Sequence, residues 1–294
     1  MSLLHILVGP PGSGKSTLAH KLIHEDGDHG ANTVYINQDT QGKEHRGIFL
    51  NALAQGQPVV VDRMNFSKDQ RKFFIEAART KGYEVVITVL HQPRKVCFER
   101  AVARENHPTI KDKSAANQAL NTFFSKYERP EPDEADRINF VYPEGVKELA
   151  VICDLDGTLC NIEHRLHHVR KPAGEKKDWK SFFVNLSEDT PNVPVAVLID
   201  RFSGVFPIVF ASGRPDDYQR GTREWLERYE FPTNHLYMRC RGDHRQDFVA
   251  KEIILDFEIL TRFKPLFFID DRKQVVDLWR RRGFTCFACA EGDF

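Results

Sequence analysis

The sequence lacks net charge, a long apolar run and a cysteine ladder, and each absence excludes something. Its 42 basic residues balance 42 acidic ones, so no global basic field recruits nucleic acid; a polynucleotide would have to be held locally, at a site. No apolar stretch is long enough to span a bilayer, so no membrane partner is expected. The chain runs straight into Leu3-Leu4-His5-Ile6-Leu7-Val8, too short for a secretory signal and without its basic start. Six cysteines are scattered without regular spacing. Cys286 to Cys289 forms one isolated CxxC with no second pair or nearby histidine, which reads as strand packing rather than zinc ligation. A reducing compartment, the cytoplasm, is expected. There is no internal repeat.

What is present suits two domains. A chain of 294 residues with 41% hydrophobic and 29% charged residues is ordinary for a soluble globular protein and long enough for two cores. Glu128 to Lys147 carries Pro130, Pro132 and Pro143 among acidic residues, then Gly145, without a helical period. Ile138–Val141 reads as a short strand inside this stretch. The division expected is 1–144 and 145–294, each a doubly wound α/β domain with a parallel sheet.

The second domain opens on Val151-Ile152-Cys153-Asp154-Leu155-Asp156-Gly157-Thr158. A strand alternates its side chains, so Asp154 and Asp156 leave its end on the same side. Two close carboxylates repel unless a cation sits between them, and hard Mg²⁺ prefers such oxygens. The bland alternative is a strand followed by an Asp-Gly turn.

The first domain opens on a strand, Leu3–Val8, and a full phosphate loop: Gly9-Pro10-Pro11-Gly12-Ser13-Gly14-Lys15-Ser16-Thr17. A helical pattern through Leu18, Leu22 and Ile23 follows, which is the strand–loop–helix context this motif requires. Gly9, Gly12 and Gly14 let backbone amides of Ser13 to Thr17 point inward at phosphates. Lys15 reaches the β/γ-phosphates of ATP or another nucleoside triphosphate, and the Ser16 hydroxyl ligates Mg²⁺. After a polar turn over 27–32, the strand Thr33–Ile36 ends near Asp39, placed at the carboxyl edge of the sheet. There Asp39 is either a general base or merely the cap of a helix beginning near Gln41. The strand from Pro58 ends at Asp62, which holds either Mg²⁺ or an acceptor. A helix is predicted over 68–81 after Ser67, with Phe73, Phe74, Ala77 and Ala78 as its buried stripe; a strand over 83–90; and a helix over 96–104. On that last helix Arg100 and Arg104 share a face and are either a phosphate-gripping pair or an ordinary charged face with Glu99 and Glu105.

In the second half, the basic stretch from Arg165 to Lys180, with Trp179, reads mostly as solvated loop. The segment from Cys160 to Asn192 is short for a large cap, so the domain is expected to be open with a small cap. A helix over 194–202 is followed by the strand 206–211, which ends in Ser212-Gly213-Arg214. A helix over 221–229, a strand over 236–239, a helix-like segment with Asp247 and Lys251, and a strand over 266–269 ending in Asp270-Asp271 complete the domain.

These motifs resemble two known families. Asp154 to Thr158, Ser212, Lys251 and Asp270-Asp271 resemble the four motifs of the haloacid dehalogenase (HAD) phosphatases. That resemblance implies Asp154 as nucleophile, Asp156 as a protonated general acid, and Ser212, Arg214 and Lys251 around the phosphate. It implies a Mg²⁺ site from Asp154, the Asp156 carbonyl, Asp270 and Asp271. Together the halves resemble the phage-type polynucleotide 5′-kinase/3′-phosphatases. The second half does so through Thr222-Arg223-x-Trp225, Arg245-x-Asp247-x-Val249-x-Lys251-Glu252 and the run from Ile269 to Gly292-Asp293-Phe294. This implies Asp39 as base for a 5′-hydroxyl, Arg104 on the transferring phosphate, and Asp62 with Arg63 on the acceptor. It also implies Arg165 and Asp247 in the phosphatase site, activity on RNA or DNA ends with 3′-phosphates and 2′,3′-cyclic phosphates as substrates, a link to a polynucleotide ligase, and self-association. The acceptor-clamping arginine of the phage kinase is replaced here by Gly42, with Arg46 the nearest alternative. The other readings are a small-molecule kinase fused to a small-molecule phosphatase, and a nucleotide-binding scaffold, against which the intact Lys15, Asp39, Asp154 and Asp156 argue.

Overall fold

The computed structural model describes residues 2–24, 32–104, 108–172 and 174–291. Most of the polar turn over 27–32, Glu105 and the terminal Gly292-Asp293-Phe294 lie outside them. The chain divides into two compact units, Met1–Glu144 and Gly145–Phe294.

In the first unit the elements run β1 (Leu3–Val8), α1 (Lys15–His24), β2 (Val34–Asn37), α2 (Gln38–Gln41), α3 (His45–Ala54), β3 (Val59–Asp62), α4 (Lys68–Arg79), β4 (Glu84–Leu90), α5 (Arg94–Val102), α6 (Lys113–Lys126) and β5 (Arg137–Val141). The sheet order is β2-β3-β1-β4-β5, with every pairing parallel. β1, β3 and β4 are Val/Ile/Leu-rich and buried along most of their length, as strands covered on both faces must be. The carboxyl ends of β1, β2 and β3 bring the phosphate loop, Asn37 and Asp62 to one edge.

Three sequence expectations change here. Ile138–Val141 is not a strand of a linker: β5 pairs with β4 from Val86↔Arg137 to Leu90↔Val141 and closes the first sheet. Helix α6, capped by the Asp112 side chain on Ala115 N, was not foreseen. On α4 the buried face is Arg71, Phe74, Ile75 and Ala78, and Arg71 is fully buried. Its guanidinium donates to both Glu134 oxygens, at 2.7 and 2.9 Å, and to the carbonyls of Asn65, Phe66 and Glu128. A buried cation is tolerable only when paired and fully bonded in this way. The proline-rich stretch that reads as a joint is therefore anchored to the first unit through Glu128 and Glu134.

In the second unit the elements run β6 (Glu148–Cys153), β7 (Cys160–Asn161), α7 (Glu163–Leu166), α8 (Trp179–Val184), β8 (Thr190–Pro191), α9 (Val193–Ser203), β9 (Ile208–Pro215), α10 (Gln219–Arg228), β10 (Leu236–Arg239), α11 (Asp247–Ile254), β11 (Phe263–Asp270), α12 (Lys273–Arg281) and β12 (Cys286–Ala288). The sheet order is β10-β9-β6-β11-β12, again all parallel. Alternation along β6 sends Val151 and Cys153 into one core and Ala150 and Ile152 into another, so the sheet has an apolar layer on each face. The short helices α7 and α8 and the antiparallel pair β7–β8 make up the segment after the Asp154–Thr158 loop. Among the described residues, no helix is long and apolar enough to cross a membrane.

Candidate active sites

In the first unit the phosphate loop is formed with the geometry its glycines require. Gly12 has φ +82°, and a Cβ there would stand 2.3 Å from the Cys97 carbonyl oxygen on α5, so only glycine fits. Gly9 N donates to Met64 O, and Asn65 Nδ2 donates to Leu7 O at 2.8 Å; the corner after β3 thus braces the loop. Ser13 is buried with its hydroxyl unpartnered. Lys15 Nζ donates to the carbonyls of Gly9 and Pro10, both at 2.9 Å. Burial pushes its pKa down, while nearby Asp62 and Asp39 push it up and Arg104 down again. Lys15, Asp39, Asp62 and Arg104 thus share one electrostatic neighbourhood. A cradle of loop amides, a lysine and the N-terminus of α1 suits a polyphosphate.

Asp62 accepts from Ser16 Oγ at 2.7 Å, Tyr35 OH at 2.6 Å and Asn37 Nδ2 at 3.3 Å. Of the two roles open to it, the contact with the Ser16 hydroxyl suits the one at Mg²⁺. Tyr35 and Asn37 were missed in the sequence; a tyrosine two residues before an asparagine carries no spacing signal. Asp39 is exposed on α2 and accepts from Thr109 Oγ1 at 3.0 Å. It is not a cap: α2 begins at Gln38, and its cap is Asn37, which accepts from Asp39 N and Thr40 N. Arg63 donates to Gln38 Oε1 at 2.7 Å and lies over Phe74. Arg46 lies over Phe73 at 4.5 Å. Arg100 and Arg104 do not share a helix face, because α5 ends at Val102 with Ala103 as its cap. Arg100 sits in the last turn of α5 and Arg104 just beyond it, both exposed.

In the second unit, Asp154, Asp270 and Asp271 offer carboxylate oxygens within 4.8 Å of one another, all three side chains buried. Lys251 is fully buried and its ammonium lies 2.8 Å from Asp154, 2.9 Å from Asp270 and 3.5 Å from Asp247. Trp279 Nε1 donates to Asp270 and Thr158 Oγ1 to Asp271, at 3.3 and 3.0 Å. Gly157 has φ +86°, and a Cβ there would meet Asp271 Oδ2 at 2.3 Å, so the turn after Asp156 and the Asp271 carboxylate are fitted to each other. Burial is the first cause raising the pKa of Asp154 and of Asp270, and Lys251 opposes it. Burial and then the Asp270 charge push Asp271 up to about 6. One ammonium does not balance three carboxylates in a buried site, and an all-oxygen donor set is what a hard divalent cation takes. The residues present fit Mg²⁺.

Asp156 departs from the sequence expectation. Its carboxylate is outside that cluster. It accepts from Arg214 Nε at 3.0 Å and from Arg214 Nη2 and Arg165 Nη2, both at 2.5 Å. Burial opposes ionisation, but the Arg165 and Arg214 guanidiniums hold its carboxyl well below the usual carboxylate range. That favours the carboxylate over the neutral acid expected from the sequence, because two buried cations outweigh the cost of burial. Arg214 and Arg165 are correspondingly turned toward carboxylates. Their second partner is Asp189, fully buried, which accepts from Arg165 Nε and Nη2 at 2.6 Å and from Arg214 Nη2 at 2.9 Å. Trp225 Nε1 donates to the Asp189 carbonyl at 2.7 Å. Asp189 lies in the short cap segment and no motif marks it.

Ser212 is fully buried at the end of β9, and its hydroxyl accepts from Arg214 N at 3.2 Å. Asp247 accepts from Arg239 Nη2 at 3.0 Å and lies within 3.6 Å of Arg272; with Lys251 these cations keep its carboxyl below the usual range despite burial. Asp247 is therefore surrounded by protein cations, and a Cβ on Gly213 would stand 1.9 Å from it.

Several known proteins are similar to this chain. A protein of Autographa californica nuclear polyhedrosis virus assigned as a bifunctional polynucleotide kinase/RNA ligase is 26% identical over 308 residues, 94% of this chain and 41% of the relative. The bifunctional polynucleotide phosphatase/kinase of Schizosaccharomyces pombe is 30% identical over 133 residues, 44% of this chain and 30% of the relative. The chain spans less than half the length of the curated relatives it matches. A chain in the solved Pnkp1/Rnl/Hen1 RNA repair complex is 27% identical, covering 100% of this chain and 97% of that one with a TM-score of 0.43. A family model described as an AAA domain matches residues 43–130 of the first unit. A second, the polynucleotide kinase PNKP phosphatase domain, matches residues 148–294. That match covers half of the chain and takes in the carboxylate cluster, Lys251 and the two buried arginines: the chain belongs to the family of the polynucleotide kinase PNKP phosphatase domain.

Proposed function

We propose that this chain is a bifunctional nucleic-acid end-healing enzyme. Its first unit transfers the γ-phosphate of ATP or another nucleoside triphosphate to a 5′-hydroxyl end. Its second removes a 3′-phosphate, leaving ends that a polynucleotide ligase can join; the viral relative named above carries RNA ligase in its name. The observation that carries the reading is the pairing, on one chain, of the Lys15–Ser16–Asp62 phosphate cradle with the buried Asp154–Asp270–Asp271 cluster around Lys251.

In the first site Lys15 exchanges its two carbonyl partners for phosphate oxygens. Asp39, exposed and close enough to influence Lys15, takes the proton of the acceptor hydroxyl. Arg104, also near Lys15, offsets charge on the transferring group. Ser16 and Asp62 would hold Mg²⁺, which would neutralise phosphate charge there. In the second site Asp154 attacks phosphorus and forms an aspartyl-phosphate as the sugar oxygen leaves. Asp154, Asp270, Asp271 and the Asp156 carbonyl would hold Mg²⁺, which would supply positive charge beside the phosphate. Lys251 keeps Asp154 oriented through its 2.8 Å contact, and Ser212 stands at the neighbouring strand end to donate its hydroxyl to the phosphate. Asp156, charged in the free site, is set to take a proton from the water that hydrolyses the intermediate. As Arg165 and Arg214 turn to the incoming phosphate, Asp156 takes up a proton from solvent and gives it to the leaving oxygen, which leaves it a carboxylate again for the water step.

Incubation with labelled ATP separates this reading from a small-molecule fusion. Label is expected on a 5′-hydroxyl oligonucleotide and not on a panel of small alcohols; the reverse pattern would overturn the nucleic-acid assignment.

Occupancy of the second site should also show in stability. A carboxyl whose pKa is raised on folding binds its proton more tightly in the folded chain. Folding is therefore increasingly disfavoured as pH rises from ~4 toward about 6, the value reached by Asp271. Mg²⁺ relieves that repulsion only where the carboxyls are ionised. The rise in Tm on replacing EDTA with Mg²⁺ is expected to be larger near ~pH 7.5 than near ~pH 5. Thermal melts that shift equally at both would count against the cation site.

A further inference from the structure

We propose that Trp179, with the lysines beside it, is a stacking platform for the bases of a single-stranded polynucleotide whose 3′ end enters the phosphatase site. This rests on the phosphatase reading and narrows its substrate to a strand. Trp179 opens α8 and is 40% exposed, whereas Phe182 and Phe183 on the same helix are buried. Phe183 stacks on it at 5.9 Å with rings 21° apart, and Phe182 meets its edge at 5.7 Å. Phe183 is in turn backed by Tyr218 at 5.2 Å. The indole is thus held by its neighbours and still presents surface to solvent. A base can stack on such a surface whatever its identity, because every base has a π-face.

The platform is joined to the reacting groups by direct contacts. The Phe182 ring lies under the Arg165 guanidinium at 4.1 Å, and the Phe182 carbonyl accepts from Arg165 Nη1 at 3.2 Å. Arg165 in turn binds Asp156. Trp179 is therefore two side chains away from the carboxylate beside the nucleophile. The local charge favours a phosphodiester backbone. Lys177 Nζ lies 5.7 Å from the Trp179 ring centre, and Lys176, Lys177 and Lys180 are all exposed. Among the acids nearby, Asp178 is committed to Ser181 as the cap of α8. In a chain whose net charge is +0, this is a local basic patch around an aromatic, the pairing by which single strands are held. A small phosphate ester has neither a string of bases nor a phosphodiester backbone to offer these groups.

The test compares Trp179→Ala and Trp179→Phe with the parent full-length chain in Mg²⁺. The substrates are 3′-phosphorylated single-stranded oligonucleotides, in RNA and DNA arms, and p-nitrophenyl phosphate. In Trp179→Ala the ratio of kcat/KM for oligonucleotide to that for p-nitrophenyl phosphate is expected to fall about tenfold, through KM. Trp179→Phe should restore most of it. The arm in which the ratio falls identifies the strand. A loss of folding would lower both substrates in proportion and leave the ratio unmoved. Fluorescence gives a second readout: all three tryptophans lie in the second unit, and Trp225 and Trp279 are 1% exposed. Oligonucleotide should quench the Asp154→Asn protein saturably, and Trp179→Phe in that background should abolish the quenching. A parent that hydrolyses neither substrate would refute the phosphatase reading itself. A parent that hydrolyses both, with an unmoved ratio or no quenching, would overturn the platform alone.

Discussion

Asp154→Asn is expected to abolish phosphate release, by roughly 10³-fold or more, while leaving transfer of label from ATP to a 5′-hydroxyl oligonucleotide intact. The amide fills the same space but is no nucleophile toward phosphorus. It would still lie beside Lys251, which keeps Asp270 at 2.9 Å and Asp247 at 3.5 Å, so the surrounding structure should persist. Lys15→Ala and Asp39→Ala should do the reverse, removing phosphorylation by a comparable factor and sparing release. Lys15 and Asp39 belong to the first unit and Asp154 to the second, and each unit has a complete sheet of its own. Measuring both activities on each purified variant decides the matter. If Asp154→Asn or Lys15→Ala removed both while the protein stayed folded, two separate sites would be the wrong description.

The parts legible in the sequence are those whose chemistry is local. Gly9 to Thr17 and Asp154 to Thr158 hold their functional groups within a few residues, and each follows an apolar run that could only be a buried strand. The end of a strand in a parallel sheet is where ligands bind, so the sequence alone places Asp62, Ser212 and Asp270-Asp271 at such ends. What stayed hidden depends on residues far apart in the chain. Arg71 meets Glu134 across 63 positions, and on a helix face an arginine reads as solvated. Tyr35 and Asn37 reach Asp62 from a neighbouring strand. The pairing of Asp156 with two arginines is hidden for the same reason. From spacing alone its nearest charged neighbour is Asp154, whereas the fold brings Arg165 and Arg214 against it. Asp189 had no signal at all; its role exists only because α7 and β9 deliver both arginines to it.

Asp189 is consequently where a single change should have the largest structural effect. Arg165, Arg214 and Asp189 are all fully buried, and the two guanidiniums sit between two carboxylates, Asp156 and Asp189. Such a set is tolerable because its charges cancel and its hydrogen bonds are made; removing one member leaves an uncompensated charge inside. Asp189→Ala is expected to destabilise the second unit by about 3–5 kcal/mol. Asp189→Asn keeps the shape and part of the hydrogen bonding and should cost less, yet it also frees both arginines to bind Asp156 alone. Asp156 would then be held more firmly from the leaving oxygen. Release from a 3′-phosphorylated oligonucleotide, whose alkoxide needs a proton, should fall more than release from p-nitrophenyl phosphate, whose leaving group does not. Phosphorylation by the first unit serves as the internal control, and chemical denaturation followed by tryptophan fluorescence reports on the second unit, where every tryptophan lies. An Asp189→Asn protein as stable as the parent, with both phosphatase rates unchanged, would show that Asp156 and its arginines hold their arrangement without it.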